Sequence, residues 1–173
     1  MALVETLVAT AMGGGFALLG SYLTNKFARQ NSEEQRKHEK WKAKRDSYLA
    51  KGEETHALFN QWMINAAKIS TIYSFRMNGA FNAEEVALRL KNVDIHNITP
   101  KLTALIEIYF SELAPGFSEL QQSVFKTHLF YAQHLDKAPD IGVSTEITKQ
   151  GAEFAIEAAI FLNKLRDEIK IHQ

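Results

Sequence analysis

An all-α fold is predicted: an N-terminal transmembrane helix that continues into a long stalk helix, followed by an antiparallel helical bundle. Three observations predict it. Twenty consecutive uncharged residues run from Thr6 to Asn25, apolar residues recur at spacings of four and three from Trp41 onward, and the 173 residues include only three prolines and nine glycines. An α-helix turns every 3.6 residues, so the second pattern places side chains on one face. So few chain breakers argue against a turn-dense β fold. The expected segments are a membrane helix over 1–25, a basic juxtamembrane stalk over 26–50 and a cytoplasmic bundle over 51–173.

At about 1.5 Å per residue, the uncharged run matches a hydrocarbon core of roughly 30 Å. Leu7, Val8, Phe16, Leu18, Leu19 and Leu23 make it apolar, while Thr6, Thr10, Gly13-Gly14-Gly15, Gly20 and Ser21 dilute it. No Lys or Arg precedes it and Glu5 stands at its start, which is unlike the basic head of a cleaved secretory signal. A helix lying in the membrane plane would need a cationic face within the segment, and there is none. Lys26, Arg29, Arg36, Lys37 and Lys40 follow directly, so the charge asymmetry orients a single-pass chain with its bundle in the cytoplasm. Glu5, Ala9, Gly13, Ala17 and Ser21 recur at every fourth position. Small residues at that spacing let helix backbones approach closely, and the ridge predicts packing between membrane helices and a homo-oligomer.

The net charge is zero, yet residues 26–51 hold nine Lys/Arg against four Asp/Glu, and residues 52–173 hold eleven against fifteen. The lipid bilayer is the expected partner of the basic block, each cation contributing about 1 kcal/mol near anionic headgroups. Nucleic acid is not expected, because Glu33, Glu34, Glu39 and Asp46 interleave the cations and read as a solvated, salt-bridged helix.

The four-three stripe runs through Trp41, Arg45, Tyr48, Gly52, Thr55, Phe59, Trp62, Ala66, Ile69 and Tyr73. Its first half is polar apart from Trp41 and Tyr48, as in a coiled-coil stalk that packs only against partners or other copies; its second half is core. Gly52 marks a kink or a close helix approach. Asn78-Gly79 ends the helix, and Asn82 with Glu84 and Glu85 caps a short one ending near Asn92. Thr99-Pro100 opens the next, which carries Leu102, Leu105, Ile106, Tyr109, Phe110 and Leu113, and Pro115-Gly116 interrupts it. A further helix spans about Phe117 to Leu135. After a turn over Lys137 to Gly142, Ser144 or Thr145 caps a last helix with Ile147, Phe154, Ala158, Phe161, Leu165 and Ile169 on its stripe.

No catalytic, cofactor-binding or metal site is predicted. Without cysteine there is no disulfide, thiolate nucleophile or thiolate metal site. A di-metal bundle site needs two Glu-x-x-His motifs, and only Glu53 to His56 fits. His38, His96, His128, His134 and His172 lack carboxylates at ligand spacing, so structural or surface roles are expected for them. Glu153 and Glu157 share a helix face that reads as solvated. The glycine triplet has no Lys-Ser/Thr ending, which excludes a phosphate-cradling loop there.

Trp41, Lys44, Arg45 and Tyr48 after the Gly-rich helix, and the run Ile108-Tyr109-Phe110-Ser111-Glu112-Leu113, give the chain a further signature. In these residues and in its layout it resembles a loose class of small bacterial proteins with an N-terminal membrane helix and a cytoplasmic helical bundle. Ser111 stands where that class often carries proline. Some of its members are similar to membrane effectors of antiviral, anti-phage defence. The resemblance implies a self-associating, membrane-perturbing protein without catalytic residues. The alternative expectation is a membrane tether or adaptor that recruits a cytoplasmic protein partner.

Overall fold

A computed structural model describes the backbone of residues 2–171 and the side chains of residues 20–171. It is all-helical among these residues: α1 Ala2–Met77, α2 Ala83–Leu90, α3 Ile98–Tyr109, a 3-10 turn Ser111–Leu113, α4 Ala114–Ala132 and α5 Ile141–Ile171. The chain divides into two compact units, Met1–Asp46 and Ser47–Gln173.

The second unit is a helical bundle built on the predicted stripes. Phe59, Trp62 and Ala66 of α1 meet Leu102 and Ile106 of α3, Phe117 and Leu120 of α4, and Phe154, Ala158, Phe161 and Leu165 of α5 in one buried cluster. Aromatic rings dominate its centre, with Phe59 4.7 Å from Phe161 and Trp62 5.1 Å from Phe117 between ring centroids. Truncating such a ring to alanine costs about 3–5 kcal/mol. A second cluster joins Tyr73 and Met77 to Tyr131, Val143 and Ile147.

Gly52 settles as a close approach. A Cβ there would lie 2.8 Å from Cγ1 of Ile169, so only glycine lets α1 and α5 come this near. Higher in the bundle, Gly151 faces Ser70, and Ser74 Oγ lies 2.9 Å from both Ser144 Oγ and Thr148 Oγ1. Small side chains and mutually satisfied hydroxyls line this seam.

The helix ends follow local chemistry, with three departures from expectation. As predicted, α1 stops at Asn78-Gly79, where Gly79 adopts a left-handed φ of 81°. Asn82 and Glu85 form a reciprocal capping box on α2, at 2.9 and 2.8 Å. Thr99, however, does not cap α3. The helix begins at Ile98, and the Thr99 hydroxyl instead donates to the Ile95 carbonyl while accepting the Trp62 indole N–H. The break after α3 falls at Phe110, whose backbone at φ −136°, ψ 45° leaves the helix so that its ring can be buried. Pro115 and Gly116 therefore lie in the first turn of α4, where proline's missing N–H leaves no bond unmade. Finally, Asp140 caps α5, accepting the Gly142 and Val143 N–H groups at 2.7 and 3.3 Å. Ser144 and Thr145 are inside that helix, and Ser144 uses its hydroxyl on Ser74 across the bundle.

Candidate functional site

The exposed basic surface of α1 and a cleft in the bundle are the two features that bear on function. Lys26, Arg29, Arg36, Lys37 and Lys40 are all exposed, and Tyr22, Leu23 and Phe27 beside them are 65, 49 and 61 % exposed. The interleaved charges of this stretch predict a salt-bridged helix. Instead, among the described residues none of the five cations closes an ion pair; farther along α1, Arg45 pairs with Asp46 at 4.0 Å and Lys51 with Glu54 at 2.8 Å. Exposed pairs are worth only about 0–1 kcal/mol, because ordering two long side chains offsets most of the attraction in water. Arg45 also rests over the Trp41 ring at 5.5 Å, and His38 stacks on the same ring. Of the predicted packing ridge, Ser21 is exposed, while Glu5, Ala9, Gly13 and Ala17 lie outside the residues with described side chains. No helix among the described residues is long and apolar enough to cross a membrane, and most of the 6–25 run falls outside that set.

The cleft has a volume of about 600 Å³. Trp62, Ile69 and Tyr73 of α1 form one wall, and Gln121, Val124, Phe125 and His128 of α4 form the other. The α4 residues follow the i, i+3, i+4, i+7 spacing of one helix face. Leu90, Val93, Ile95, His96 and Thr99, from the end of α2 to the start of α3, close its side. The α2 cap and the shifted start of α3 therefore place these residues.

Polar groups in the cleft are tied to one another. Trp62 Nε1–H donates to Thr99 Oγ1 at 3.0 Å, and Gln121 Nε2–H donates to Thr103 Oγ1 at 3.1 Å. Tyr73 Oη lies 2.6 Å from His128 Nδ1. Burial and then the neighbouring Tyr131 push the Tyr73 phenol up to about 12, so it keeps its proton. The hydroxyl and Nδ1 satisfy each other, in a direction set by the imidazole tautomer, and Nε2 is the ring nitrogen outside that bond. Tyr131 stacks flat on Tyr73 at 3.9 Å and braces the ring.

The remaining candidates are separated or neutralised. Glu53 is exposed, whereas His56 Nε2 accepts from Arg166 Nε at 3.1 Å and its Nδ1 lies 3.4 Å from Asn60 Nδ2. Burial first, and the Arg166 charge second, lower the His56 pKa. Among the described residues no three metal-ligating side chains converge. Glu153 and Glu157 line a polar groove of about 620 Å³ between α4 and α5, with Glu119, Glu146, Lys126 and Lys164. The 121–128 spacing on α4 is legible in the sequence; its convergence with Tyr73 and the α2–α3 connection is not. No family model, curated protein or solved structure matches this chain.

Proposed function

We propose that the chain is a membrane-anchored, self-associating helical-bundle protein of the membrane-perturbing, anti-phage effector kind. Segment 6–25 spans a bacterial inner membrane once, and the stalk and an antiparallel bundle face the cytoplasm. The observation that carries this is the surface of residues 20–40, where exposed Tyr22, Leu23 and Phe27 give way to five exposed cations without ion-pair partners among the described residues. Aromatic residues sit at the headgroup level of a bilayer and Lys/Arg on its cytoplasmic side. The small-residue ridge Glu5, Ala9, Gly13, Ala17 and Ser21 supports self-association. The pairings Gly52 with Ile169, Ser70 with Gly151 and Ser74 with Ser144 support antiparallel packing, since one number rises as the other falls.

The test is membrane potential in cells producing the full chain or residues 31–173, with carbonate extraction to locate each. The full chain alone should resist extraction and collapse the potential, and Gly13→Leu with Ala17→Leu should abolish the collapse. Release by carbonate refutes the span. Retention in the membrane with an intact potential refutes the effector role and leaves a tether or adaptor for a cytoplasmic protein. One observation favours that second reading: Ile64 and Phe75 of α1 are 51 and 41 % exposed beside a groove of about 550 Å³. A tether keeps its function when the span is replaced by an unrelated poly-Leu helix.

A further inference from the structure

The cleft between α1 and α4 contains no Lys, Arg, Asp or Glu among its lining residues. A charged ligand that shed its water against these walls would meet no carboxylate, ammonium or guanidinium, so imidazoles alone could offset the cost. An uncharged ligand avoids that cost. The volume, about 600 Å³, lies within the roughly 300–1,000 Å³ of small-molecule sites. Tyr73, His96 and Thr99 are polar members of its lining, and on the α4 wall the polar groups stand at two ends. At one, His128 has Nε2 left for a ligand, because Nδ1 is held by the Tyr73 hydroxyl. At the other, Gln121 commits its amide N–H to Thr103 and keeps Oε1 as an acceptor. Seven residues of helix separate them, roughly 10 Å at 1.5 Å per residue. Val124 and Phe125 lie between, facing Ile69 and Trp62 across the gap.

We propose that this cleft binds an uncharged, flat aromatic small molecule carrying a hydrogen-bonding group at each end. One end hydrogen-bonds to Nε2 of His128 and the other donates to Gln121, while the rings lie between the apolar walls. The site is independent of the membrane assignment, since every residue in it belongs to the second unit.

Para,para′-biphenol is the probe: it is neutral at neutral pH and rigid, with a hydroxyl at each end. The chain has two tryptophans. Trp62 donates its indole N–H to a cleft residue, and Trp41, 56 % exposed in the other unit, serves as an internal reference. Titrating the ¹⁵N-labelled full chain in detergent should shift the Trp62 indole signal saturably and leave that of Trp41 in place. Gln121→Leu should weaken binding about five- to tenfold, the worth of one hydrogen bond. Unsubstituted biphenyl should bind more weakly than the biphenol, and Val124→Phe should fill the cleft and abolish the shift. A Trp62 signal that never saturates, or that moves together with that of Trp41, overturns the proposal, as does undiminished binding in Val124→Phe. Should Val124→Phe lose its dispersed spectrum, Gln121→Leu decides, and an unchanged affinity there is equally fatal.

Discussion

Replacing Gly52 by alanine sets two effects of similar size against each other. In an ordinary helix interior the change stabilises by about 1 kcal/mol, because glycine loses more backbone freedom on folding. Here the new methyl would stand 2.8 Å from Cγ1 and 3.2 Å from both Cδ1 and Cγ2 of Ile169. Those atoms sit on a β-branched side chain that is only 9 % exposed, so the clash cannot be relieved by swinging a flexible tip into solvent. Overpacking of this kind costs about 1–3 kcal/mol. The net expectation for Gly52→Ala is a loss of roughly 0–2 kcal/mol, the difference of these two terms. Ile169→Ala deletes all three obstructing atoms, and in that background Gly52→Ala should stabilise by up to about 1 kcal/mol. The double-mutant cycle therefore predicts a coupling of about 1–3 kcal/mol and a change of sign. Urea unfolding read by Trp62 fluorescence in a Trp41→Phe chain measures all four corners. Stabilisation by Gly52→Ala with Ile169 intact, or equal effects in the two backgrounds, would refute close approach as the reason for this glycine.

Glu54 accepts from Lys101 at 2.6 Å and Lys51 at 2.8 Å, which lowers its pKa from 4.5 to about 2. A depressed carboxylate stabilises the fold above its unfolded pKa, so this contribution should disappear as the pH falls from about 4.5 to about 2, and Glu54→Gln should flatten the acid limb of an unfolding titration. Tyr73 titrates in the opposite sense. Its folded pKa is raised from 10.0 to about 12, so stability should fall as the pH rises through that interval, while Tyr73→Phe should reduce the alkaline loss and remove a late step in tyrosinate absorbance. Asn82→Ala removes the α2 cap and should cost about 1 kcal/mol in thermal or chemical unfolding; an effect near zero would mean that the short helix is held by Val86 and Leu90 alone.

Periodicity and breakers alone determined the helical class, the core stripe of Phe59, Trp62, Ala66 and Tyr73, the stripe of α5, the stop at Gly79 and the Asn82 cap. These are local properties: a helix repeats every 3.6 residues whatever surrounds it, and a cap is completed within four residues. The tertiary structure decided what depends on distant chain. Thr99 reads as a cap, yet Trp62, 37 residues earlier, takes its hydroxyl. Ser144 likewise reads as a cap but is drawn to Ser74, 70 residues away. Gly52 left a kink and a close approach equally open until Ile169 was placed against it. His128 belongs to a plain amphipathic helix by sequence, and only the fold brings Tyr73 to within 2.6 Å and leaves an uncharged cleft between them and Gln121. Such pairings are invisible in a one-dimensional pattern because nothing local in the energy of either residue depends on the other. They arise when burial of the apolar stripes brings separate helices together and each enclosed polar group must find whatever partner is then within reach.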